Sequence, residues 1–241
     1  MAQLPVVRAD RSHVSDSTEI APGDLVVEYD PIVEVMTGRI VGADIVAPFV
    51  KLREIPTASW RLVLLNALVT SVRWHQRGLV RRSFITALPL GVTQLDDPTI
   101  ERAIRASLAG SGANPESLHL ILDDEVLLHA DQDRIEQLVE LTSTGVRLAV
   151  VGLNACAHVA RHRHELRVSL LRIPVVEFNQ PSSPNLLERA AALELELVAT
   201  GVDEESAFID ASRHGSLLSV GTFHRSQPDF SDVYETLALV T

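Results

Sequence analysis

Residues 26–49 read VVEYDPIVEV-MTG-RIVGADIVAPF, two apolar runs rich in Val and Ile separated by Met36, Thr37 and Gly38. Three residues cannot hold a crossover helix, so the two runs predict an antiparallel hairpin. Six further apolar runs follow, at residues 84–90, 118–122, 147–153, 166–176, 196–202 and 217–223. Their Val, Ile and Leu content suits strands covered on both faces. Helical patterns fall between the later runs, at residues 59–76, 98–109, 131–142, 185–193 and 203–213, with Gly78, Gly110 and Gly145 as stops. Eight strands mostly separated by helices predict an α/β fold, a (β/α)8 TIM-like barrel whose first strand runs antiparallel to the rest. A doubly wound open sheet is the competitor, and the strand count disfavours it. On the first long helix, Leu62, Leu65, Val69 and Val72 are expected to face the core.

The 241 residues suffice for one domain of this class, expected over residues 24–241 behind a polar tail at residues 1–23. Hydrophobic residues at 46% and charged residues at 22% give a globular balance. No apolar run approaches the roughly 20 residues of a membrane span. The start MAQLPVVRAD lacks the features of a signal peptide, and Cys156 is the single cysteine, so the expected compartment is the cytoplasm. A formal net charge of −11 speaks against nucleic acid and anionic membranes as partners. With no linker in evidence, a stand-alone domain is expected.

The run Tyr29-Asp30-Pro31-Ile32, followed by Thr37-Gly38-Arg39-Ile40-Val41-Gly42-Ala43-Asp44, resembles the opening of EAL-domain cyclic di-GMP phosphodiesterases, which read YQPIV and TGRIVGAEAL. Ala67, Trp74 and Gly78 are similar to that family's A-x6-W-x3-G helix end. The segment 145–149 resembles the run before its DDFGTG motif, 198–203 its VAEGVE segment, and Gly221 with Pro228 its QGYLFSRP terminus. These matches keep the family's order over residues 26–230.

The departures bear on chemistry. In the register the resemblance implies, the metal-binding glutamate of EAL becomes Asp44, and the arginine four residues on becomes Pro48. The glutamine of YQPI becomes Asp30, whose charge opposes a phosphate. The asparagine of VNLS becomes Ala87, the first glutamate of LEITE Ile121, and the aspartates of DDFGTG Val151 and Gly152. The lysine and aspartate of LKID become Arg172 and Pro174, the glutamate of AEGVE Thr200, and the glutamine of QGY Val220. Hydrolysis by the family's mechanism requires divalent cations held by oxygen ligands. Ala87, Ile121 and Val151 carry no side-chain oxygen, so one surviving carboxylate, Asp44, is expected where several are needed. The resemblance therefore implies a degenerate EAL domain without catalytic residues, metal ligands or cofactor. It would act as a regulatory or protein-interaction module in bacterial signalling, with a homodimer among its possible assemblies. Cyclic di-GMP binding is not expected to survive the loss of charge-assisted contacts. The alternatives are a cyclic di-GMP sensor without hydrolysis, and a diverged phosphodiesterase that would need Mg²⁺ or Mn²⁺.

Two other groupings stand out. Asp123, Asp124 and Glu125, with Asp30 and Asp44, offer an alternative acidic cluster at the barrel mouth; a solvated helix-capping loop is the plainer reading. Cys156, His158, His162 and His164 have partial metal-ligand spacing, but Arg161 and Arg163 between them oppose a cation, so an exposed helix face is expected. Arg77, Arg81 and Arg82 form a small basic patch, read as surface solvation.

Overall fold

The computed structural model describes residues 27–47, 50–162, 165–178 and 186–226. The eight strands are β1 (Glu28–Glu34), β2 (Ile40–Val46), β3 (Ile85–Pro89), β4 (Leu118–Leu122), β5 (Arg147–Val151), β6 (Val168–Pro174), β7 (Glu196–Thr200) and β8 (Leu218–Val220), and they close into a barrel in chain order. β1 pairs antiparallel with both β2 and β8, and every other neighbouring pair is parallel. Closure excludes the open sheet, and the reversed first strand matches the reading of the three-residue turn. Gly38 completes that turn with φ of +68°, a conformation that costs a side chain with a Cβ but not glycine.

The helices are α1 (Thr57–Gln76), α2 (Val92–Leu95), α3 (Ile100–Ser111), α4 (Asp124–Leu128), α5 (Gln132–Ser143), α6 (Ala155–His162), α7 (Leu186–Ala192) and α8 (Glu205–Arg213). α3 runs through Gly110, the expected stop, and ends at Gly112 (φ +72°), whose N–H donates to the Leu108 carbonyl. The short helices α2 and α4 carry too few residues to show a period. The tail at residues 1–23, Pro48, His164 and Pro228 lie outside the described residues.

Strand alternation divides the apolar residues into two layers. One set points into the barrel: Ile32, Ala87, Ile121, Ala149, Leu170, Val198, Leu218 and Val220. The other set, among them Leu88, Leu120, Leu148, Leu171 and Leu197, packs outward against the helices. Trp74 of α1 seals β1 and β2, stacking edge-on against Tyr29 (5.0 Å) and Phe84 (5.8 Å), with Ala43 beneath it. The buried stripe of α1 is Trp60, Val63, Leu64, Ala67 and Leu68. Leu62 and Leu65 are instead 45% and 36% exposed, and Val69 and Val72 are half-buried. α1 is apolar on more than one side, so period alone does not select the face it buries.

Candidate functional site

In a barrel of this class the chemistry sits where the parallel strands end. β1 runs the other way, so it contributes its first residues to that mouth. Asp30 lies directly opposite Asp44 in the hairpin register, and Glu28 opposite Val46. Tyr29 and Ala43 pack outward on Trp74, so alternation turns Asp30 and Asp44 inward.

Asp44 is met there by Arg172. The guanidinium reaches from β6, four strands round the ring, and grips both carboxylate oxygens: Nη1 donates to Oδ1 at 2.9 Å and Nη2 to Oδ2. Both side chains are buried. A fork-to-fork pair of this kind is the strongest ion pair the side-chain repertoire offers, and burial demands that it be complete. Arg225, in the 3-10 turn after β8, pairs with the neighbouring strand β1: its Nε donates to Asp30 Oδ1, its Nη2 makes an ion pair with the same oxygen, and its Nη1 donates to Glu28 Oε2 at 2.9 Å. Burial raises the Asp30 pKa above the ordinary aspartate range; Arg225 opposes the shift, and the neighbouring Asp44 and Glu28 charges add to it.

Asp44 is thus not the only acidic group at the mouth. Glu28 and Asp30 join Asp44, and the three are held by two arginines. The charge that Asp30 would turn toward a phosphate is largely offset by Arg225. The remaining positions lie where the register places them. Ala87 is the strand partner of Asp44 and contributes only a methyl group. Ile121 pairs with Ala149, Val151 with Arg172, and Thr200 with both Pro174 and Val220. Gly152 adopts φ of +91° and donates its N–H to the Arg172 carbonyl, which ties the backbone of β6 to the end of β5. These residues do not fit a divalent-cation site. Among the described residues no three His, Cys, Asp or Glu side chains converge into a metal-holding group, and the buried Asp44 carboxylate is engaged by a guanidinium.

The alternative acidic cluster is dispersed. Asp123 occupies the N-cap position of α4, but its side chain pairs with Arg53 instead of capping the helix. Asp124 accepts from Asn154 at 3.4 Å, and Glu125 is exposed. Arg53 and Asp123 border a mostly apolar depression of about 260 Å³ lined also by Val46, Leu52, Pro89 and Ile121. Cys156, expected on an exposed face, points into the core of the helix layer, where burial raises its thiol pKa.

Sequence reasoning missed Arg225, Arg53 and the role of Arg172 as a counter-ion. It also passed over His119 on β4, an inward-facing imidazole beneath Ile121 whose burial, aided by the charges of Arg147 and Arg172, lowers its pKa to about 4. The signal for Arg172 is its place as the one charged residue of the strand VSLLRIP, where a buried cation must find an acid.

No family model matches the chain, and no curated protein does. Solved structures do. The EAL domain of Mycobacterium smegmatis DcpA is 23% identical, with 89% of this chain and 98% of that chain covered and a TM-score of 0.70. The PaMucR phosphodiesterase in its c-di-GMP complex is 19% identical over 82% of this chain and 89% of that chain, with a TM-score of 0.67. The FimX EAL domain from Pseudomonas aeruginosa bound to c-di-GMP is 16% identical over 82% and 88%, at 0.58. With its closed barrel, its one reversed strand and its likeness to these structures, the chain has the EAL-domain fold.

Proposed function

We propose that this chain is a non-catalytic EAL-fold domain that works through contacts with a protein partner. The observation that carries the reading is the Arg172–Asp44 pair, which puts a resident cation on the carboxylate at the position of the EAL glutamate. A guanidinium neutralises that carboxylate but has no open coordination position at which to activate water. Ala87, Ile121 and Val151 supply no further oxygen ligand. Apolar exposure on the mouth side supports a protein contact: Val92, just after β3, is 52% exposed and Val176, just after β6, 77%.

The expected result is no hydrolysis of cyclic di-GMP with Mg²⁺ or Mn²⁺, in the native chain or in Arg172→Ala. Freeing Asp44 does not replace the missing ligands at residues 87, 121 and 151. Turnover that Asp44→Ala abolishes would overturn the reading.

A second reading, a cyclic di-GMP sensor without hydrolysis, is favoured by the c-di-GMP complexes of the PaMucR and FimX structures. Against it, the guanidiniums of Arg172 and Arg225 are already committed to carboxylates. Calorimetry separates the two. Silence supports the interaction module, and micromolar or tighter binding supports the sensor.

A further inference from the structure

The acidic residues of this chain are absent from one long stretch. Between Glu54 and Asp96 there is no Asp or Glu, while Arg61, Arg73, Arg77, Arg81 and Arg82 all fall there, on a chain of net charge −11. Part of this has a local cause. Arg73 and His75 sit in the last turn of α1 and Arg77 at its C-cap, where the carbonyl end of the helix attracts cations. His75 Nδ1 also lies 3.2 Å from the Val80 carbonyl oxygen.

Arg81 and Arg82 lie past the helix and are not explained by it. They line a depression of about 470 Å³ between the end of α1 and the turn that follows α3, together with Gln76, Phe84 and Asn114. Arg61 finds Asp97 and Arg147 finds Glu116, yet neither Arg81 nor Arg82 makes an ion pair or a side-chain hydrogen bond among the described residues. Glu116 stands in the 3-10 turn Pro115–Ser117 beside this depression, and it is committed to Arg147 at 3.2 Å. That carboxylate thus has a guanidinium partner of its own, and among the described residues no acidic side chain lines the depression or pairs with Arg81 or Arg82.

We propose that this depression binds a small phosphorylated ligand. Two adjacent guanidiniums offer forked donors matched to phosphate oxygens. The amides of Gln76 and Asn114 and the ring of Phe84 supply polar and apolar contacts for the rest of a small molecule, and the volume lies in the range of such sites. A local positive potential on an acidic molecule draws a compact anion, while the overall charge repels a nucleic-acid chain or an extended anionic membrane. The site lies at the end of the barrel where β3 and β4 begin, opposite the mouth. It is therefore independent of the reading of Asp44 and Arg172.

Isothermal titration with inorganic pyrophosphate at low salt tests it, with citrate as a non-phosphate polyanion and vesicles containing phosphatidylglycerol as a lipid source of phosphate. The expected result is saturable pyrophosphate binding, tighter than that of citrate, which weakens with added salt. Arg81→Gln and Arg82→Gln each lower the affinity about tenfold, the loss of one charge-assisted contact. Both side chains are exposed, so the thermal melting curves of these variants should overlay that of the native chain. Absence of saturable pyrophosphate binding, equal or tighter binding of citrate, binding confined to vesicles, or affinity unchanged when Arg81→Gln and Arg82→Gln are combined would each overturn the proposal.

Discussion

Arg172→Ala is expected to destabilise the fold by roughly 3–5 kcal/mol, the loss that follows when one partner of a buried ion pair is removed. The cost lies in what remains. Asp44 is buried on β2, its neighbours across the sheet are Ala87 on one side and the acidic Asp30 on the other, and its two oxygens lose both of their donors. Arg225 cannot substitute, because it is held by Asp30 and Glu28. Urea denaturation gives the size of the effect. The companion Asp44→Asn keeps an oxygen for Arg172 but strands the guanidinium's charge, so it should also destabilise. The double variant Asp44→Leu/Arg172→Met removes both charges and fills the same interior, and should recover most of the lost stability. Additive losses in the double variant would show that the two residues do not act as a pair.

This pair also marks the limit of what the amino-acid sequence discloses. The hairpin was legible because Met36, Thr37 and Gly38 are local, and so were the strands, whose apolar runs are contiguous. The Asp44–Arg172 contact spans 128 residues, and Arg225 lies 195 residues from Asp30. No local period encodes such a contact; it exists only because closure sets β2 opposite β6 and brings β8 back to β1. That Ala87, Ile121 and Val151 lack side-chain oxygen is visible in the sequence, whereas the internal cation on Asp44 needed the barrel. The buried face of α1 is not legible for a related reason: Leu62 and Leu64 are equally apolar, and only the position of the barrel decides that Leu64 is buried and Leu62 is not.

Stability should fall as pH drops from about 6.5 toward 4, and two histidines account for the direction. Burial lowers the pKa of His119 from 6.5 to about 4, with Arg147 and Arg172 adding to the shift, and lowers that of His224 to the same value. His119 Nδ1 lies 3.4 Å from the Ser117 carbonyl oxygen, and His224 Nε2 lies 2.9 Å from Ser219 Oγ. Above pH 6.5 both rings are neutral in the folded and the unfolded chain, and the folded state carries no proton-linked penalty. Below it the unfolded chain takes up protons that the folded interior refuses, so the stability present above the unfolded pKa is lost until the folded pKa is reached. Each ring contributes on the order of 3 kcal/mol across that window. Asp30 works in the opposite sense: its raised pKa makes the folded chain bind a proton more readily than the unfolded one, which offsets part of the loss at the acid end. Urea midpoints measured between pH 7.5 and 4 should trace this decline, and His119→Gln should flatten it by removing one of the two titrating rings while keeping a polar group at the Ser117 carbonyl. A pH profile with the same slope in His119→Gln as in the native chain would mean that the buried ring is not what couples folding to protons.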